Sequence, residues 1–298
     1  MLKLFYVASL FFTCNLVFSQ SLAERLGYSK NDKLLIIHND DIGLSQSENE
    51  ASYISMTDGI VNSGSVMMPC AWAFDAISTF KKTNLDVGVH LTLTAEWKHY
   101  KWAPLLGVTG APSLTDQFGF MYPSLEEVGK HAKIEEVEKE LRAQIDLAKK
   151  MGLDITHLDT HMGSMLARPD LVQLYFKLGE DYKVPVMADA RVPDYKYAID
   201  RIESITPEYF PSNSKNYYNR LLENLQPGIT VLLLHIAYDN QEMKSATKDH
   251  PHWGSLWRQN DFNYFTSKEA KLMIEQNGIK LVTWRQIRDV MRTEIKNP

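Results

Sequence analysis

Apolar runs and amphipathic stretches alternate along almost the whole chain. The apolar runs cover 34–39, 64–69, 86–94, 155–162, 185–190, 230–237 and 280–284. Each has the length of a strand, and helical spacing fills the gaps between them. The clearest helix is 133–152, KIEEVEKELRAQIDLAKKMG, where Ile134, Val137, Leu141, Ile145 and Ala148 recur on one face and Gly152 supplies a stop. Ser45-Gln46-Ser47-Glu48 has the spacing of a capping box and predicts a helix start just beyond the first run. Such alternation predicts an α/β fold with a parallel sheet covered by helices. About seven strands in one series, without repeat or linker, favour a single barrel-like domain over two small ones.

Two connections break this rhythm. Residues 95–132 hold Trp97, Trp102, Gly107, Gly110 and three prolines, and residues 238–265 hold Tyr238, Trp253, Trp257, Phe262, Tyr264 and Phe265. Both follow strands at the same end of the sheet, where long connections tend to carry function.

The first residues stand apart from the pattern. MLKLFYVASLFFTCNLVFS, 1–19, has one early lysine, an apolar stretch from Leu4 to Phe18 and a small residue, Ser19, after it. This is the pattern of a signal peptide, and it predicts an exported chain, periplasmic or secreted, with the working domain at 20–298. An uncleaved anchor is the alternative, although the apolar run is short for a membrane span. Cleavage removes Lys3 and no acid, moving the net charge from −5 to −6. A mildly acidic chain without basic clusters excludes nucleic acid as the expected partner, and no stable membrane association is expected after cleavage. Only Cys70 of the two cysteines remains, so no internal disulfide is expected. Oligomeric state stays open, a homodimer being one option.

Chemistry gathers at the carboxyl ends of the strands, where parallel α/β folds place their sites. The first run ends in Asp40-Asp41, the third carries His90, the fourth carries His157, Asp159 and His161, and the sixth ends at His235. His157, Asp159 and His161 are two apart, so a strand directs them to one face. Three ionisable groups on a buried face need pairing or a metal. Asp41, His90 and His161 would form a two-histidine, one-carboxylate site for a divalent ion, Zn or Mg, with positions left open for water and substrate. Adjacent carboxylates repel, and a cation offsets that cost while Asp40 stays free to move a proton. Strict alternation puts Asp40 and Asp41 on opposite faces, so the strand is expected to end there, with Gly43 permitting the turn.

In these residues the sequence resembles the YdjC-like carbohydrate deacetylases, the group that includes chitooligosaccharide deacetylase. The resemblance runs through HNDDIG, VGVHLTLT, THLDTH, LLLHIAY and LVTWRQI, in order and across most of the chain. It implies a distorted TIM-like (β/α) barrel and metal-dependent removal of acetyl groups from N-acetylated sugars. It further implies Asp41, His90 and His161 as metal ligands, Asp40 as catalytic base, His235 as a catalytic or oxyanion-stabilising residue, and Arg191 of ADARVP as an arginine beside the acidic pair. His157 and Asp159 fit a supporting layer that orients His161 or meets substrate. Trp97, Trp102, Trp253 and Trp257 are candidates for stacking on sugar rings. Two positions depart from the family pattern: MGSM follows His161 and Ile236 follows His235, so oligochitin is not assumed as substrate. The rival readings are a glycosidase, since paired carboxylates also serve sugar cleavage, and an inactive carbohydrate-binding protein.

Overall fold

The computed structural model describes residues 20–297 except 193, 194, 211 and 251; the expected signal segment 1–19 lies outside the described residues. Seven parallel strands form one sheet: β1 (Lys33–Ile42), β2 (Ser63–Val66), β3 (Val87–Leu91), β4 (Leu158–Thr160), β5 (Arg201–Ser204), β6 (Gly228–Leu234) and β7 (Ile279–Leu281). They run in the order β4-β3-β2-β1-β6-β5, and β7 pairs with the first residues of β1, Lys33 to Leu35. The two ends of this sheet are joined by single parallel bridges, Leu158 to Val186 and Asp189 to Ile199. The result is a distorted TIM-like barrel with a thin seam.

The seam is where the strand expectation at 185–190 gives way. That segment makes only isolated bridges, and the fifth strand lies later, at 201–204, paired with β6. Both long connections are also less irregular than expected. The second contains the helices Gln241–Ala246 and Ser255–Phe265, and the first contains Leu125–His131. The helix Ile134–Lys150 forms as the spacing predicts, with Val137, Leu141, Ile145 and Ala148 fully buried. Ser45 caps the helix Gln46–Thr57 by accepting from the Glu48 N–H, at 3.1 Å. The reciprocal half of the capping box is replaced, because Arg258 Nη1 donates to Glu48 Oε1 at 2.6 Å.

Alternation along β1 explains the interior. Leu35 and Ile37 pack outward among the helices, whereas Leu34 and Ile36 join Ile229, Val231, Val282 and Trp284 inside the ring. His38 and Asp40 continue the inward series. The ring is therefore filled with aliphatic and aromatic side chains at the amino ends of the strands and with polar ones at the carboxyl ends. His157 lies between the layers, stacked on Trp284 with centroids 5.2 Å apart and edge-on to His38 at 4.9 Å. Gly88 of β3 makes room for it: a Cβ there would come within 2.6 Å of the His157 ring.

Candidate metal centre

Asp41 would face outward if β1 kept its alternation. It does not, because Asp41 takes φ 66°, and the register with β2 slips between Asn39 and Ile42. The strand runs on to Ile42, so the turn is made by Asp41 itself, as a bulge, and not by an early strand end at Gly43. Aspartate is one of the few side chains that tolerate the left-handed region, and the bulge swings its carboxylate back beside Asp40. His90 comes from β3. His161 opens a short 3₁₀ segment directly after β4, in which Met162 and Gly163 both have positive φ.

Three atoms then converge. Asp41 Oδ1 lies 3.3 Å from His90 Nε2 and 3.2 Å from His161 Nδ1, and the two nitrogens are 3.3 Å apart. The remaining nitrogens are committed elsewhere: His90 Nδ1 lies 3.0 Å from Asp159 Oδ1, and His161 Nε2 lies 2.9 Å from Glu96 Oε2. A carboxylate can only accept, so each outer nitrogen carries a proton, and in the neutral imidazole the inner one presents a lone pair. Asp41 Oδ1 is buried with no hydrogen-bond donor among the described residues. A proton on either inner nitrogen would bridge it to Asp41 Oδ1, and a divalent cation at the same point would take that proton's place. Bonds of about 2.0–2.1 Å to a tetrahedral ion would set ligand atoms about 3.3–3.4 Å apart, so the donor set fits a divalent metal. The carboxylates behind each histidine are the usual support for such ligands.

The surrounding charges are arranged to match. Burial works against an ionised Asp41, but Arg258, His161 and His90 outweigh it and hold the carboxyl well below its usual range. Arg258 Nη2 donates to Asp41 Oδ2 at 2.8 Å and shares its charge with Glu48. Burial, with repulsion from Asp41, pushes Glu48 well above the usual range, so Asp41 is the partner that stays charged. His161 is lifted to about 9: burial opposes its charge, and Glu96 and Asp41 overcome that.

Asp40 Oδ2 and Asp41 Oδ2 each lie 3.9 Å from His235 Nε2. Withdrawal from bulk water lowers the His235 pKa, so its imidazole is neutral at neutral pH. Asp40, His235, Met162, His250 and Trp253 line a cavity of about 490 Å³ over the three convergent atoms.

The structure thus gathers Asp40, Asp41, His90, Asp159, His161 and His235, and sets His157 one layer deeper. It does not bring in Arg191. That side chain is 78 % exposed and pairs with Asp189 two residues away, at 2.7 Å, because 189–192 turns outward at the seam. The arginine that meets the acidic pair is Arg258, from the helix Ser255–Phe265. The tryptophans divide in the same way. Trp97, Trp102 and Trp257 are buried; packing explains Trp102 and Trp257, the latter stacked on Phe210 at 4.6 Å, whereas Trp97 lies beneath the Arg258 guanidinium at 5.2 Å and lines the inner wall of the cavity. Trp253 alone of the four is open, 37 % exposed at the cavity mouth.

Sequence reasoning passes over His38, Glu96 and Arg258. His38 does carry a signal, since it stands two residues from Asp40 on one strand face. Glu96 and Arg258 sit in the long connections, where no periodicity marks a residue that points inward.

Known proteins resemble this chain over the same region. A family model described as YdjC-like protein matches residues 34–276. A carbohydrate deacetylase of Thermus thermophilus is 32% identical over 285 residues, covering 91% of this chain and 99% of the relative. A carbohydrate deacetylase of Brevibacillus brevis is 27% identical, covering 85% of this chain and 99% of its own. Among solved structures, an Enterococcus faecalis protein named for cellobiose-phosphate cleavage superposes with a TM-score of 0.73 at 23% identity, over 86% of this chain and 99% of that one. That likeness speaks to the fold.

Proposed function

The chain belongs to the YdjC-like protein family, and from that premise we propose that it is a metal-dependent carbohydrate deacetylase that hydrolyses the acetamide of an N-acetylated sugar. One observation carries the reading: the inner nitrogens of His90 and His161 and the Oδ1 of Asp41 meet at a single point, each residue backed by a committed partner. Those three residues would hold a divalent ion, which when bound supplies Lewis-acid polarisation of the acetyl carbonyl and of the attacking water. The chain's own groups do the rest. Asp40 Oδ2 faces the cavity and accepts the proton that the water loses as it attacks; return of that proton to the nitrogen lets the amine leave as the C–N bond breaks. His235, neutral and across from Asp40, hydrogen-bonds the charge that develops at the acetyl group or at the departing amine. Asp159 and Glu96 hold the two histidines in the tautomer that a metal needs. Trp253 offers an apolar face at the mouth, suited to a sugar ring.

The same geometry disfavours the glycosidase reading. Asp41 has one oxygen at the convergent point and the other on Arg258, so it is not available as the second acid–base carboxylate that sugar cleavage requires. The complete donor set likewise disfavours an inactive binding protein. The signal-like pattern of 1–19 supports our further reading that the reaction takes place outside the cytoplasm. Acetate release from a panel of N- and O-acetylated mono- and disaccharides, run with and without chelator and after metal return, tests the proposal. Chelator-sensitive acetate release supports it; sugar-bond cleavage without acetate, or full activity in chelator, refutes it.

A further inference from the structure

His38 is fully buried, lies outside the donor set, and is used by no step above. Its Nε2 donates to Asp159 Oδ2 at 2.9 Å and also lies 3.2 Å from Asp40 Oδ1. Its Nδ1 lies 3.0 Å from Ser63 Oγ, which can accept, so an imidazolium here has an acceptor for each N–H. Asp40 Oδ1 is buried and has no hydrogen-bond donor among the described residues, so the nearby positive charge of His38 is what offsets its burial. The other oxygen, Oδ2, is thereby the one turned toward His235 and the cavity.

Charge balance points the same way. With Glu48 pushed toward its neutral form, four carboxylates remain around the centre: Asp40, Asp41, Asp159 and Glu96. With an ion bound and both ligand imidazoles neutral, Arg258 and a divalent cation together fall one positive charge short of them, which a protonated His38 supplies. The groups facing His38 are Asp40 from its own strand, Ser63 and Ser65 from β2, Asp159 from β4 and the neutral edge of His157. Burial opposes the charge on His38, yet the bond to Asp159 and the nearby negative charge of Asp40 overcome it and lift the group to about 9.

We propose that His38 is a positioning residue for the deacetylation: a buried positive charge, shared with Asp159, that fixes the Asp40 carboxylate with Oδ2 toward the substrate. The inference rests on the reading of Asp40 as proton acceptor. It assigns His38 an effect that passes through Asp40 and not through the metal, although Asp159 also touches the ligand His90.

A double-mutant cycle on the full chain tests this, using His38→Gln, Asp40→Asn and the pair, with kcat and KM for acetate release from the N-acetylated sugar cleaved fastest, metal content and thermal midpoint. His38→Gln keeps a donor of similar reach and removes the charge. It should keep its metal, hold KM within about twofold and lose about 10- to 100-fold in kcat, less than deletion of the base itself. In the Asp40→Asn background the same change should alter kcat by less than about twofold, because the group it positions is gone. Wild-type kcat in His38→Gln, metal loss in step with the rate, or an equal loss in the Asp40→Asn background would each overturn the proposal while the deacetylase reading stood. Full activity of Asp40→Asn would instead overturn the reading of Asp40, and the proposal with it. Should His38→Gln fail to fold, His38→Asn, whose amide reaches the Nδ1 position, runs through the same cycle with the same outcomes.

Discussion

Replacing Glu96 by glutamine probes the centre while leaving every ligand in place. Glu96 Oε2 receives its hydrogen bond from His161 Nε2 at 2.9 Å, and the carboxylate is 17% exposed, so little water competes for it. Because it can only accept, it keeps the proton on Nε2 and the lone pair on Nδ1. Glutamine has the same shape but no charge. It can also turn its amide nitrogen toward the ring, which forces the proton onto Nδ1, straight at Asp41 Oδ1. Removing a partner of this kind typically weakens metal binding by about 10- to 100-fold. That ratio corresponds to about 1.4–2.7 kcal/mol, the scale of one lost charge-assisted hydrogen bond. A competition titration against a chromogenic chelator, with the ion that the purified enzyme carries, reads the change directly. Asp159→Asn, behind His90, should fall in the same range. Affinity within about twofold of wild type in both variants would refute the assignment of the convergent atoms.

Four further outcomes follow from the same geometry. Asp41→Asn should empty the site, whereas Asp40→Asn should keep its metal and lose about 10²–10⁴ in kcat, as expected on removal of a general base; elemental analysis beside rate measurement separates the two, and exchanged phenotypes would exchange the roles. Arg258→Met strands Asp41 and Glu48 in the interior without their shared cation and should cost about 3–5 kcal/mol in urea unfolding, a loss below about 1 kcal/mol counting against a buried pair. Arg191→Ala should leave kcat and KM within about twofold, since that side chain points to solvent; a tenfold loss would bring it back to the site. Finally, His38 has its pKa raised to about 9 in the fold, against about 6.5 when unfolded, so its contribution is complete below about pH 6.5 and is lost as pH rises through about 9. The unfolding free energy from urea titrations should therefore fall toward alkaline pH by at most about 3–4 kcal/mol in wild type, and His38→Gln should lack that component.

What the sequence makes legible is set by how local each signal is. The central strand, the Ile134–Lys150 helix and the donors His90 and His161 follow from periodicity and from strand-end chemistry, both of which act over a few residues. The bulge at Asp41 is a single backbone torsion, and no pattern of apolar residues encodes it; only the awkwardness of two adjacent carboxylates hints that something must turn. The fifth strand falls elsewhere than expected because 185–190 is apolar for a different reason: Val186 and Ala188 are buried at the seam without forming a ladder. Composition does not tell Arg191 from Arg258, because which arginine reaches Asp41 depends on helix Ser255–Phe265 folding back over the barrel mouth. Two tryptophans that read as sugar platforms, Trp102 and Trp257, are packing for the same reason, since aromatic loops supply core as readily as binding surface.

The thin closure of the ring divides it mechanically. Asp40 and Asp41 directly follow a ladder of seven successive pairs between β1 and β6, and His90 sits on β3 between β2 and β4, its ladder partners. The opposite arc, from β4 to β5, is held by two isolated bridges. An arch with one well-mortared side and one dry joint yields at the joint. Widening there costs a few backbone hydrogen bonds and separates Ser204 on β5 from the His161 side of the cavity wall, while β4 keeps its ladder to β3 and with it the spacing of Asp41, His90 and His161. The barrel can therefore be stiff where a cation demands fixed distances and yielding where sugars of different bulk would press against it.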